Sequence, residues 1–189
     1  MKKEDIKPYA DDVYDQVSSW INNCDSKASI LLALIGVILS ITFTSDYILK
    51  GIEDLVKGIF GVLKGIGGGC VCTNVILLMI LGISLGYLIG SIKNLLLVLY
   101  ARLDDSHSEE NPSICFYRSI SSMSYDEYKK RVVEIDDDTM NDDMLRQVHD
   151  CSQICMKKFT FYNESIRYMK VGLVLFAIYI LAFIVNKSI

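Results

Sequence analysis

Two histidines in 189 residues leave little material for acid–base chemistry, and neither His107 nor His149 converges with a nucleophile or a carboxylate pair in a recognisable spacing. No Ser/His/Asp arrangement is present. The glycines at 65–69 follow no strand and lack the lysine that a phosphate-cradling loop requires. The acidic run around residues 136–143 lacks the ordered ligand spacing and central glycine of an EF-hand. Cys151 and Cys155 share a helix face with only His149 near them, short of a zinc set. Cys70 and Cys72 are too close in sequence for an unstrained bridge, and Cys24, Cys115, Cys151 and Cys155 fall in segments expected in the cytoplasm, where thiols stay reduced. All six cysteines read as structural. These absences exclude a recognisable enzyme and imply no cofactor or metal.

Charge is missing in a more telling way. Ala28–Phe43, Val71–Ile92 and Val171–Val185 contain no charged residue, in a chain that is 51% hydrophobic with a mean hydropathy of +0.33. A membrane span needs roughly 20 mostly apolar residues. The middle run meets that alone. The first reaches it with Lys27 and Thr44-Ser45 at its ends, and the last with Tyr168, Met169 and a snorkelling Lys170. The first run has no basic segment before it and follows several acidic residues, so it does not read as a signal peptide and all three spans should be retained.

The residues flanking the spans set the orientation. Lys27, Lys93, Arg102, Arg167 and Lys170 lie on one side, against Lys50 and Lys187 on the other. The expected organisation is a cytoplasmic N-terminal helix (1–27), a first span (28–45), an outer segment (46–72), a second span (73–99), a cytoplasmic helical region (100–167) and a third span (168–186). The fold class is an all-α integral membrane protein. It is expected to be multi-pass, with its N-terminus in the cytoplasm.

The polar parts carry helical periods. Ala10, Val13, Val17, Trp20 and Cys24 recur by threes and fours before the first span. Leu145, Val148, Ser152, Cys155, Phe159, Tyr162, Ile166 and Met169 do so before the last, and both series read as seams of a helical stalk, to which Leu95–Tyr100 can add. Ile114–Ile120 suits a short strand or a docked apolar peptide. Ser124 followed by Glu127 is a capping signature for a helix from Tyr125 to about Ile135. In the outer segment, Leu49, Ile52, Val56, Ile59, Leu63 and Ile66 form an apolar stripe opposite Lys50, Glu53, Asp54, Lys57 and Lys64. That pattern predicts an amphipathic helix at a membrane face, ended by Gly65 and a Gly67–Gly69 hinge.

Two groups of residues point toward function. Gly82, Gly86 and Gly90 lie four apart on one face of the second span, where small residues let helix backbones approach, either within the chain or between copies in a homo-oligomer. At the cytoplasmic mouth, Asn22, Asp25 and Ser26 lie within about one turn and Lys27 enters the membrane. A half-buried Asp25 and Lys27 there need partners, which the last helix can supply through Lys157, Lys158 and Glu164.

The sequence resembles the transmembrane effectors of Pycsar anti-phage defence in three places. These are the Asp25-Ser26-Lys27-Ala28-Ser29 entry into an apolar span; Asn111–Tyr117 followed by Ile120 and Met123–Tyr128; and Met144–His149 with Ile154 and Lys157-Lys158-Phe159. Arg118 and Ser119 stand where the family pattern often has glycine. The resemblance spans about residues 18–185. It implies an effector that responds to a cyclic mononucleotide made by a partner cyclase and disrupts the inner membrane, arresting growth in abortive infection. An anionic ligand needs cations and backbone N–H groups, and Arg118, Arg146, Lys157 and Lys158 are the candidates. Residues 101–170 carry ten basic and fourteen acidic side chains, which disfavours a nucleic-acid polymer as partner. The alternative is a constitutive membrane scaffold or channel subunit that binds no nucleotide.

Overall fold

The computed structural model describes residues 6–63, 71–100 and 113–188. Among them are six helices and no strand: α1 (Ile6–Thr44), α2 (Asp46–Leu63), α3 (Val71–Tyr100), α4 (Tyr117–Ser122), α5 (Tyr125–Glu134) and α6 (Asp137–Ser188). The Gly65–Gly69 hinge, Cys70, His107 and the polar loop before Ser113 lie outside the described residues. α1, α3 and α6 are each long and apolar enough to cross a membrane. The helices form two compact units, Met1–Ser26 with Tyr100–Phe159 and Lys27–Leu99 with Thr160–Ile189.

In the apolar unit, packing follows a strict heptad spacing. Leu77, Leu81, Ser84, Leu88, Ser91, Leu95 and Val98 are buried along α3 at alternating steps of four and three, and Ser165, Gly172 and Tyr179 along α6 at steps of seven. That period keeps one line of each helix turned toward its neighbour. α3 and α6 run antiparallel, since Ser91 meets Ser165 and Ser84 meets Gly172. The Ser91 and Ser165 hydroxyls lie 2.8 Å apart, and each reaches the other residue's carbonyl at 3.1 Å. Ser84 Oγ donates to the Gly172 carbonyl at 2.9 Å. Close approach is possible because Gly172 carries no side chain: a Cβ there would sit 2.9 Å from Leu88 Cδ2. Interhelical hydroxyl bonds of this kind contribute about 0.6 kcal/mol each in a bilayer.

Farther along, Leu55, Leu77, Leu81, Tyr179 and Phe183 form the apolar core, with the Tyr179 and Phe183 rings stacked at 5.8 Å. Leu55 belongs to α2, which begins immediately after a one-residue break at Ser45, whose carbonyl accepts from Leu49 N–H. The docked face of α2 is Gly51, Leu55 and Gly58. A Cβ on Gly51 would collide with the Phe183 ring, and one on Gly58 would lie 2.7 Å from Asn74 Nδ2. The apolar stripe read from the sequence is therefore rotated: Ile52 and Ile59 lie near the packed side, whereas Leu49, Val56 and Phe60 are exposed. Glycine sets the phase, because it alone lets α2 lie against the Phe183 ring.

In the polar unit, Ala10, Val17 and Cys24 are buried along α1 at steps of seven. Trp20, read from the sequence as part of that seam, is 48% exposed. The seam takes small side chains that bring helices close and leaves the large ring outside. On α6, Cys155 is buried as read, yet Leu145 and Ser152 are exposed and the buried line passes through Lys158. α5 begins as expected, with Ser124 Oγ accepting from Glu127 N–H at 3.3 Å. The strand envisaged over Ile114–Ile120 is instead a turn leading into α4. Ser113 Oγ accepts from the N–H groups of Cys115 and Phe116, at 3.0 and 3.1 Å, and folds the backbone back before any strand pairing.

Candidate functional site

The polar unit contains one buried ion pair among its described residues. Lys158 Nζ donates to Asp25 Oδ1 at 2.6 Å; the lysine side chain is 6% exposed and the aspartate 35%. The geometry follows from helix phase. Lys158 occupies the buried line of α6 and Asp25 follows buried Cys24 on α1, so the two meet although 133 residues apart. Lys27, two residues beyond Asp25, points elsewhere and is exposed, since i and i+2 do not share a helix face. Burial raises the pKa of the nearby Cys155 thiol, while the Lys158 ammonium opposes that rise. Burial, then the Asp150 carboxylate, raises the Cys151 thiol.

The four cations proposed for an anionic ligand lie in different settings. Lys158 is committed to Asp25. Lys157, its neighbour, is exposed. Arg118 is exposed on α4, where its carbonyl accepts from Ser121 Oγ at 2.8 Å. Arg146 lies on the first turns of α6, held by Asp142 through contacts of 3.0 Å from Nε and 2.9 Å from Nη2.

Arg146 opens on a cavity of about 410 Å³ at the corner where α5 passes into α6, also lined by Ser113, Ile114, Arg131, Glu134 and Thr139. Its wall is fixed. Asp143 Oδ2 accepts from Ser113 Oγ at 2.9 Å and from Ile114 N–H at 3.0 Å, and Gln147 Nε2 donates to Ser113 Oγ at 3.2 Å. Asp136 Oδ1 accepts from Thr139 N–H at 2.6 Å and closes the first turn of α6. Beside this wall, burial and then the Asp143 carboxylate push the Cys115 thiol up to about 11. Arg131 was missed in the sequence. Its spacing of four from Glu127, which it meets at 3.4 Å, reads as an ordinary helix-surface pair. No cluster of three or more histidines, cysteines or carboxylates suited to a metal occurs among the described residues.

In the apolar unit, a Cβ on Gly82 or Gly86 would meet nothing within 4 Å, whereas one on Gly90 would lie 3.2 Å from the Tyr168 ring. Of the two alternatives read from the sequence, packing within the chain is therefore seen at Gly90 and not at Gly82 or Gly86. α3 packs on α6 through the Ser84, Leu88 and Ser91 line, leaving Gly82 and Gly86 on an open face. Tyr179 is fully buried, and its hydroxyl has no hydrogen-bond partner among the described residues.

A family described as the Pycsar effector protein domain matches residues 9–185, nearly the whole chain. The chain is also 29% identical over 182 residues to the Pycsar effector protein GmPycTM of Gulbenkiania mobilis, an alignment covering 94% of this chain and 93% of that one. No solved structure matches it.

Proposed function

The chain belongs to the Pycsar effector family, and on that premise we propose that it is an anti-phage effector that answers a cyclic mononucleotide from a partner cyclase by compromising the inner membrane. Family membership implies the defence role and the cyclic-nucleotide signal. The response of this chain to the nucleotide and its action on the bilayer are the substance of the proposal. One observation carries it. The helices that supply the buried Asp25–Lys158 pair, α1 and α6, are the same helices that supply two of the three membrane-length apolar stretches. A signal that alters the polar unit thereby acts on elements that are also the membrane helices.

The polar unit lies in the cytoplasm in this reading, and the 46–72 segment outside, as the basic residues flanking the spans favour. The bilayer is one partner and a second copy of the chain another, with the open Gly82/Gly86 face of α3 as the contact. No catalytic group takes part, and the nucleotide acts as ligand, not as cofactor. The test is uptake of a membrane-impermeant dye by cells expressing the chain, with and without a co-expressed cyclase or added cyclic mononucleotides. Leakage that depends on the nucleotide supports the reading. Leakage without it, or none with it, returns the chain to the alternative of a constitutive scaffold or channel subunit.

A further inference from the structure

We infer that the cavity at the α5–α6 corner is the nucleotide site, with Arg131 and Arg146 holding the cyclic phosphate. This inference rests on the reading above for the class of ligand, and on the polar unit alone for the place. At about 410 Å³ the cavity falls within the usual range for small-ligand sites, about 300–1,000 Å³, and has room for a single nucleoside with its phosphate. Two guanidiniums reach it from different helices, Arg131 from the last turn of α5 and Arg146 from α6. Each is steadied by a carboxylate one turn earlier, Glu127 or Asp142, and a guanidinium has five N–H donors, so each retains donors for a further acceptor.

The remaining lining suits the other end of a nucleotide. Glu134 offers acceptors to the N–H groups of a base or to a ribose hydroxyl, and Ser113, Thr139 and two apolar residues, Ile114 and Ile135, complete the wall. A bare inorganic anion would gain little from such a lining, because Glu134, Asp136, Asp142 and Asp143 surround the arginines with negative charge. A ligand with an anionic end and a donor-bearing end satisfies both sets. Arg118 and Lys157, proposed from the sequence, do not line this cavity.

The experiment measures binding of the four common 3′,5′-cyclic mononucleotides to the full chain purified in detergent, with inorganic phosphate as competitor. The variants are Arg131→Gln, Arg146→Gln, the conservative Arg131→Lys and Arg146→Lys, and Arg118→Gln as control. All three arginines are on the surface of the unit, and the helical circular dichroism of each variant verifies its fold. One cyclic mononucleotide is expected to bind the wild-type chain. Each Gln variant should weaken it at least tenfold, each Lys variant less, and Arg118→Gln not at all. Unchanged affinity in both Gln variants overturns the site while leaving the nucleotide response intact. Displacement by phosphate as readily as by nucleotide overturns it as well. Absence of binding to the wild-type chain also overturns the site, and dye uptake in cells then reports separately whether the effector reading survives.

Discussion

Asp25→Asn and Lys158→Met remove the two halves of one ion pair, yet the structure predicts unequal costs. Lys158 is 6% exposed, and its ammonium lies 2.6 Å from Asp25 Oδ1. Asp25→Asn preserves the shape and one acceptor oxygen but removes the charge that balances the buried ammonium. Breaking a buried pair costs roughly 3–5 kcal/mol; the amide oxygen and the partial exposure of position 25 reduce this to about 2–3 kcal/mol. Lys158→Met keeps most of the buried stem and leaves an aspartate that is 35% exposed and within reach of water, so its cost should be about 1 kcal/mol or less. The double variant should recover most of the Asp25→Asn loss, because methionine no longer needs a counter-charge. The assay is denaturant unfolding of the purified chain in micelles, run beside nucleotide-dependent dye leakage at matched expression. A change of 2–3 kcal/mol would shift a two-state equilibrium by roughly 30- to 150-fold, so Asp25→Asn should visibly alter the leakage response. Lys27→Met, at an exposed position, should leave unfolding unchanged. Equal and small effects from Asp25→Asn and Lys158→Met would refute the desolvation argument and reduce the pair to a hydrated surface contact.

Gly172→Val should cost about 1–3 kcal/mol in the same unfolding assay, because its Cβ would press on Leu88, whose backbone nitrogen lies 3.3 Å away and cannot move alone. Gly86→Leu should leave unfolding unchanged, since that position faces open space, but should abolish chemical cross-linking between copies; persistence of the cross-linked band would remove the α3 face from assembly. Cys115 should alkylate at pH 8 about a hundredfold more slowly than an ordinary thiol, because its pKa stands near 11 instead of 9.0, with reaction accelerating as the pH rises toward that value. In a cysteine-free background, a cysteine at Ser45 should label in whole cells with an impermeant thiol reagent and one at Ser122 should not; the reverse pattern would invert the topology.

Much of the fold could be read directly because the bilayer imposes a simple demand. Three charge-free runs, the first and last extended by their flanking residues, fall in the helices α1, α3 and α6, and the Ser124/Glu127 signature opens α5 where expected. The strand alternative for Ile114–Ile120 failed for a local reason. Its β-favouring composition is overridden by one hydroxyl, Ser113 Oγ, which takes two backbone N–H groups and turns the chain into α4. The α2 stripe failed by phase: hydrophobicity ranks Leu49 and Val56 above Gly51 and Gly58, but contact distance ranks them the other way.

The same inversion explains the candidate site. Lys157 and Lys158 are equivalent in composition, but adjacent helical residues point about 100° apart, so one enters the packed line and the other leaves it. Choosing between them requires the phase of the seam. Reading that phase from large apolar residues gives Leu145, Phe159 and Ile166, and so misses the position of Lys158. Packed lines between close helices select small and hydroxyl-bearing residues instead, and stepping by seven from Ser165 reaches Gly172 and Tyr179 in one direction and Lys158 in the other. On that phase Lys158 is a buried structural cation, which turns the search for a ligand-binding cation away from it. The search then reaches Arg146 and, through the cavity they share, Arg131.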